Sequence, residues 1–322
     1  MILSRSSSLR FVNFPIRCFE LACPVCRGDV HLDGQTARCR ECGQVFNRRD
    51  GIWRFLPEAR AAEFAAFMRE YRAVRASEGW GAPSPDYYRT LPNVGADDPQ
   101  RHVWRLRARS YHRLLQLVDG PTGLRVLDAG AGNGWLSNRL AQRGHLVAAV
   151  DLSDDARDGL GVWPNYEARF TCYQAEFDHL PFRNDQFDLL IFNAALHYSS
   201  VLQVTLSEAR RVIKPGGRAV VLDSPFYAQT FGGAAMVAER TAEFTRRLGS
   251  EPQSRTIGFL TEPDLERAAA GAGWTMRVWA PDANWLKTLR RALIRHRNGR
   301  EPARMPLVVL EKVGGISRCR PL

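Results

Sequence analysis

The stretch Val126-Leu-Asp128-Ala-Gly130-Ala-Gly132-Asn-Gly134-Trp135 constrains this chain more than any other. A short apolar run enters a turn with glycines at alternate positions, and a helix-compatible segment follows. Glycine tolerates positive φ and lets a ligand approach the backbone without meeting a Cβ. Strand, glycine turn and helix in that order suit a nucleotide site at the carboxyl end of a parallel sheet. The spacing is GxGxG, not the GxGxxG of dinucleotide folds, and Asp128 stands two residues ahead of the first glycine. An acid there suits a ligand with cationic groups, such as an amino-acid ammonium and a sulfonium.

Alternating elements follow. RVLDA, LVAAVD, RFTCYQ, FDLLIF and RAVVLD are five strand candidates, with helices expected over 135–143 and 201–213. A helix over 262–272 opens on Thr261 as N-cap with Asp264 three residues on, and MRVWA and PLVVLE add two strands. This βα alternation predicts an α/β fold, a doubly wound, mostly parallel sheet with its ligand at the carboxyl ends of the strands. Asp151 closes the second strand, twenty-three residues after Asp128, where a carboxylate accepts two hydrogen bonds from a ribose diol. After the third strand, Glu176 is placed to accept from an adenine amino group, while Phe177 either covers that ring or packs in the core. Asn193 stands at the tip of the fourth strand, beneath the ligand or as a cap on the strand end.

In order along the chain, VLDAGAGNG, VD, AEFDHLPF, FDLLIFNAALHY and EARRVIKPGGRAVVLD resemble the motifs of class I S-adenosylmethionine-dependent methyltransferases. The likeness is to the methyltransferase type 11 group, which includes ubiquinone/menaquinone-type enzymes, and spans roughly residues 105–312. It implies a Rossmann-like sheet with an antiparallel last strand, and S-adenosylmethionine as cofactor. By this resemblance Asp128, Gly130, Gly132 and Gly134 hold the methionine end of the donor, Asp151 its ribose and Glu176 its adenine. Glu176 departs from the Asp that many relatives carry there. The turn from Lys214 to Gly217 resembles a family hallmark leading into the fifth strand, and is structural.

Ahead of this region, Cys23-x-x-Cys26 and Cys39-x-x-Cys42 are separated by twelve residues. Two such knuckles can set four thiolates tetrahedrally around one ion, and zinc suits that closed, soft site. Four cysteines leave no open position, so the expected metal is structural. Two disulfides, or four unrelated thiols, are the alternatives. Arg27, Arg38 and Arg40 are placed to offset the negative charge. Cys18, Cys172 and Cys319 read as bystanders.

The expected organisation is a leader of unknown role over 1–18, the zinc ribbon over 19–56, a helical linker and cofactor/acceptor cover over 57–118, the methyltransferase-like domain over 119–313 and a tail over 314–322. The first nineteen residues hold three Arg and four Ser without an acid, the composition of a transit peptide or of an irregular leader. Helices are expected over 58–76, with Phe64, Phe67, Tyr71 and Val74 on one face, and over 101–118. The Gly- and Pro-rich stretch between them, anchored by Trp80, Tyr87 and Tyr88, reads as a linker or a loop over a site. No apolar run reaches the ~18 residues of a membrane span. The cysteine pattern, with no recognisable secretory signal, predicts a reducing, cytoplasmic setting.

Net charge is +11, and residues 286–322 carry ten Lys/Arg against Glu301 and Glu311, which is eight of the eleven. Lys occurs only at positions 214, 287 and 312, so 42 of the 45 basic residues are Arg. A bias that runs through the whole chain argues for coding preference over phosphate recognition.

Methyl transfer from a sulfonium is an in-line displacement of an activated leaving group, so alignment is the main demand, with a base for hydroxyl or amine acceptors. His197 is the candidate base, against the alternative of a satisfied structural histidine; Tyr198 and Asp223 rank below it. Residues 224–249 insert after the fifth strand, where relatives build acceptor pockets. The basic, amphipathic segment 284–297 is a solvated helix face or a surface for RNA or anionic lipid. The expected acceptor is a small molecule or lipid-type compound. RNA is an alternative, because a cysteine ribbon ahead of such a domain also resembles bacterial rRNA guanine methyltransferases, although those carry His where Cys42 stands. A non-catalytic partner module is the third reading, opposed by intact Asp128, Gly132 and Asp151.

Overall fold

The computed structural model describes residues 19–81, 84–118, 120, 122–249, 256–279 and 302–312. The expected leader, basic segment 284–297 and tail lie outside the described residues. Four short strands come first: β1 (Val30–Asp33), β2 (Thr36–Cys39), β3 (Val45–Arg49) and β4 (Ile52–Arg54). Helices α1 (Glu58–Ser77), α2 (Pro85–Thr90) and α3 (Arg101–Val118) follow. Helix α2 arises inside the stretch read as a linker. Its start combines Pro85 in the first turn with Ser84, whose hydroxyl accepts from the Asp86 amide.

The alternating part contains β5 (Arg125–Ala129), α4 (Trp135–Gln142), β6 (Leu146–Asp151), β7 (Thr171–Gln174), β8 (Phe187–Asn193), α5 (Leu202–Val212) and β9 (Ile213–Leu222). Then come β10 (Phe226–Tyr227), α6 (Thr230–Leu248), β11 (Leu260–Thr261), α7 (Glu262–Gly271), β12 (Trp274–Trp279) and β13 (Leu307–Lys312). At the start of α7, Thr261 accepts from the Asp264 amide, the cap expected from the sequence.

Among the described residues, eleven strands form one sheet in the order β1-β2-β3-β4-β7-β6-β5-β8-β9-β13-β12. Neighbours from β7 to β9 are parallel, and β13, the last strand among the described residues, enters antiparallel between β9 and β12. The centre of this sheet, β7 to β9 with β13, is the Rossmann-like, mostly parallel sheet with an antiparallel last strand that the motifs imply. Runs such as LVAAVD suit it, because Val147 to Val150 are covered on both faces. The chain steps outward from β5 to β6 and β7, then crosses to β8 on the other side of β5. That reversal opens a crevice at the carboxyl ends of β5 and β8.

The N-terminal strands extend this sheet. Strands β1 to β4 are antiparallel to one another, and β4 lies parallel beside β7 with Trp53 opposite Tyr173. Cys23, Cys39, Phe46, Trp53 and Phe55 share one buried core with Leu127, Ala148, Tyr173 and Phe182. Burying side chains such as Trp53 and Phe55 contributes roughly 1.5–3 kcal/mol each, which fastens the cysteine-bearing segment to the sheet edge. The opposite face of the sheet packs Trp104, Leu114, Trp135 and Leu136. Among the described residues no helix is long and apolar enough to cross a membrane.

Candidate active site

The glycine turn between β5 and α4 is tied to β6 at two levels. Val150 O accepts from the amides of Gly130 and Ala131, and the Gly132 amide donates to Asp151 Oδ2 at 2.8 Å. Asp151 Oδ1 accepts from the Ser153 amide at 2.7 Å. Each carboxylate oxygen keeps a second lone pair for a diol. Gly130 has φ +80°, and a Cβ there would stand 2.4 Å from the Ala195 Cβ and 3.2 Å from Phe177 Cζ. Only glycine fits. At Gly132, φ is +55° and a Cβ would meet nothing within 4 Å, so its backbone faces open space.

Burial dominates the electrostatics of the two aspartates. It pushes Asp128 up to about 7, against the hydrogen bond from Ser137 Oγ at 2.7 Å, and leaves Asp128 Oδ1 buried without a partner. It pushes Asp151 up to about 6, against the two amide hydrogen bonds. Buried carboxyls raised in this way ionise more readily when a cationic or hydroxyl-bearing ligand donates to them.

Glu176, in the turn after β7, accepts from Arg60 of α1 at both oxygens, 2.9 Å from Nε and 2.7 Å from Nη2. Burial pushes this carboxyl upward, but hydrogen bonds from His179 and Arg60 outweigh it and hold it below its ordinary value. The Phe177 ring stands edge-on to Phe192 and beside Gly130, so it lines the crevice as well as packing the core. Asn193, half-buried at the β8 tip, has a buried Oδ1 without a partner. The next residue, Ala194, has φ +53°, and Asp223 at the neighbouring β9 tip has φ +52°. Such left-handed non-glycine residues, side by side at strand ends, are held by their surroundings and cluster where ligands bind.

His197 has a structural setting. Its ring is buried, its Nδ1 faces Ser224 Oγ at 3.3 Å, and its carbonyl accepts from the Gly258 amide. Burial, with Arg240 adding to it, pushes its pKa down to about 3, far from the value that serves a base at neutral pH. The two weaker candidates meet the covering helices. Tyr198 meets Tyr71 of α1 edge-on at 5.9 Å, and Asp223 accepts from Ser110 of α3 at 2.5 Å while its Oδ2 is buried without a partner.

Helix α1 supplies residues that pattern alone does not single out. It buries no side chain fully, and arginines hold it over the strand tips: Arg72 pairs with Asp154, and Arg75 pairs with Asp158 through Nε at 2.5 Å and Nη2 at 3.1 Å. Arg75 also lies 3.7 Å over the Trp80 ring, and Arg107 of α3 lies 5.2 Å from the same ring. The available signal was Trp80 in a Gly- and Pro-rich stretch; the partners across the chain had none.

The four N-terminal cysteines converge. Cys23 Sγ is 3.6 Å from Cys42 Sγ, Cys26 Sγ is 3.4 Å from Cys39 Sγ, and all four sulfurs lie within 4.8 Å of one another. A disulfide needs ~2.05 Å. A tetrahedral ion with metal–sulfur bonds of ~2.3 Å sets its sulfurs ~3.8 Å apart, close to the spacing here. Burial pushes the Cys23 thiol up to about 12, so an ion would have to displace its proton. Arg27 does not lie over the thiols; its guanidinium crosses to Glu208 of α5.

Comparison with known proteins points at the same region. Residues 127–221 match the methyltransferase domain family. The chain is 34% identical over 195 residues to the malonyl-[acyl-carrier protein] O-methyltransferase of Erwinia pyrifoliae, covering 58% of this chain and 66% of the relative. It is 31% identical over 180 residues to the enzyme of the same name from Geobacter sulfurreducens, covering 52% and 63%. The chain thus spans just under two thirds of the length of these relatives. Among solved structures, the Burkholderia thailandensis 1,6-didemethyltoxoflavin-N1-methyltransferase with bound 1,6-didemethyltoxoflavin and S-adenosylhomocysteine is 18% identical, with a TM-score of 0.48 over 88% of this chain and 98% of that one.

Proposed function

We propose that this chain transfers a methyl group from S-adenosylmethionine to a small-molecule or lipid-type acceptor. The observation that carries the reading is convergence at the crevice. The Gly130–Gly134 turn, Asp151, Glu176 with Phe177, and Asn193 stand at or just beyond the carboxyl ends of β5, β6, β7 and β8, around the β5/β8 switch point, with Gly132 bonded to Asp151 and Gly130 close against Phe177. The matched family and the names of the relatives support the reaction class, and the acyl-carrier relatives support a small, carrier-tethered or lipid-like acceptor over RNA.

S-adenosylmethionine supplies an activated methyl on a cationic sulfur when bound. In this reading Asp128 and the glycine turn hold the amino-acid end, Asp151 takes the ribose hydroxyls, and Glu176 accepts from the adenine amino group beside the Phe177 ring. Helix α1 covers the crevice and excludes water, and the acceptor enters between α1, α3 and the β8 and β9 tips. Alignment is then the main contribution of the protein. We assign Cys23, Cys26, Cys39 and Cys42 to one structural zinc, supported by sulfur spacings that fit a tetrahedral ion and not a disulfide.

The test is binding followed by transfer. Calorimetry is expected to show S-adenosylhomocysteine binding, and a labelled-methyl assay is expected to label an acyl-carrier or small-metabolite fraction in preference to total RNA. Absence of donor binding by folded, zinc-loaded protein would sink the assignment.

A further inference from the structure

The segment that carries Glu176 and Phe177 is an irregular turn, residues 175–183, between β7 and β8. Its conformation is set from outside. On one flank the cysteine-bearing segment runs alongside it: the Ala22 amide donates to Pro181 O at 3.2 Å, the Arg183 amide donates to Glu20 O at 3.0 Å, and Leu21 bridges Phe182. On the other flank α5 grips it. The Leu180 amide donates to Glu208 Oε1 at 2.8 Å, Thr205 Oγ1 donates to Asp178 Oδ1 at 2.5 Å, and Arg211 donates to the carbonyls of Leu180 and Phe182.

Arg27 joins the two flanks. It follows Cys26 directly, has φ +66°, and its amide donates to Cys23 O at 2.8 Å, so its place is fixed by the knuckle. Its Nη1 donates to Glu208 Oε1 at 2.7 Å and to Leu180 O at 3.3 Å, and its Nη2 donates to Asp178 O at 3.3 Å. Glu208 is 6% exposed, so this carboxylate has little water to fall back on, and charge-assisted hydrogen bonds of this kind are the strong ones.

We propose that Arg27 is a positioning residue for the donor site: the metal-bound knuckle, through Arg27, holds the 176–183 turn so that Glu176 and Phe177 present the adenine subsite. The inference rests on the donor reading above. In it the four-cysteine cluster shapes the methyl donor's pocket and is not a separate dock for an acceptor. A guanidinium suits the task, because its planar fork divides two carbonyls and a carboxylate between two nitrogens, a spread that the single nitrogen of an ammonium does not match.

The experiment compares wild type, Arg27→Ala, Arg27→Lys and Glu208→Gln, all as the full chain. It measures zinc content, thermal melting, calorimetric affinity for S-adenosylhomocysteine and for 5′-methylthioadenosine, and backbone hydrogen exchange over residues 176–183. Arg27→Ala is expected to keep about one zinc per chain and to bind both nucleosides about tenfold more weakly, the size of a lost charge-assisted hydrogen bond, with faster exchange in the turn. Equal loss for both probes places the defect at the shared adenosine end. Arg27→Lys is expected to recover part of the affinity, and Glu208→Gln to weaken binding in the same direction. Removing zinc from wild type by chelation is expected to speed exchange over 176–183, which reads the coupling even if Arg27→Ala fails to fold. Zinc-loaded, folded Arg27→Ala with wild-type affinity overturns the inference, as does unchanged exchange on zinc removal. Wild type that binds neither nucleoside takes down the donor reading and this inference together.

Discussion

Arg60 and Glu176, 116 positions apart, form a two-pronged ion pair, Nε to Oε1 at 2.9 Å and Nη2 to Oε2 at 2.7 Å, that fastens helix α1 to the turn expected to receive adenine. The carboxylate still has lone pairs to share, so one group can anchor the cover and accept from a base. The two roles separate by mutation. Arg60→Ala is expected to lower stability by about 1 kcal/mol, because the arginine is partly exposed, and to weaken S-adenosylhomocysteine less than fivefold. Glu176→Ala is expected to weaken it by about tenfold or more. Melting curves and calorimetry on the pair of variants check both, and equal effects on affinity would remove Glu176 from the base-binding role.

Asp151 carries a double load, holding the glycine turn through Gly132 and, in the proposed function, the ribose. Losing two hydrogen bonds to a charged group, at about 1.5 kcal/mol each, predicts about a hundredfold weaker S-adenosylhomocysteine binding for Asp151→Ala. Titration calorimetry decides it, and unchanged affinity would refute the ribose assignment.

The pH dependence follows from Asp128 at about 7 and Asp151 at about 6. Both folded values lie above the unfolded carboxylate range, so between roughly pH 4 and 7 the folded chain holds protons that the unfolded chain has released. The unliganded protein is therefore expected to lose stability as pH rises through that window. Donor binding runs the other way. Ionised Asp128 and Asp151 are the forms that meet an ammonium and a diol, so affinity for S-adenosylhomocysteine is expected to rise from pH 5.5 to 7.5, by up to about tenfold per unit where one group titrates. Melting temperatures and binding isotherms across the range measure the two slopes.

Gly130→Ala tests the close approach of the β5 turn to the β8 tip. A methyl group 2.4 Å from the Ala195 Cβ, on a backbone with φ +80°, is expected to destabilise the fold by about 1–3 kcal/mol and to abolish donor binding. Denaturant unfolding alongside calorimetry reads both, and a variant with wild-type stability would show that the turn has room to move.

Metal content is the simplest check on the cysteines. Emission spectrometry is expected to find about one zinc per chain, and Cys39→Ser to lose the metal and lower the melting temperature, since ligand sulfur and buried core are lost together. Zinc-free protein with an unchanged melting curve would return the cluster to four independent thiols.

Local pattern and periodicity were enough for β5 to β9, β12 and β13, the glycine turn, α3, α5 and the cap at Thr261, because each rests on neighbours within a few residues. LVAAVD reads as a doubly covered strand, and GxGxG reads as a turn that needs positive φ, whatever surrounds them. The sequence also brings Asp128, Asp151, Glu176 and Asn193 to strand ends, since alternating βα units put every such end on one side of the sheet. Tertiary structure decided what those ends meet. Arg60 and Arg75 on α1 and Arg107 on α3 follow no spacing that points to a site, and with Tyr71 of α1 they are brought to the strand ends only by the packing of the two helices there. The merger of the cysteine segment with the sheet edge through β4 and β7, and the passage of Arg27 to Glu208 across 181 positions, likewise depend on long-range pairing. Backbone hydrogen bonds along a sheet edge are available to any strand that arrives there, so sequence spacing could propose the ribbon but not where it docks.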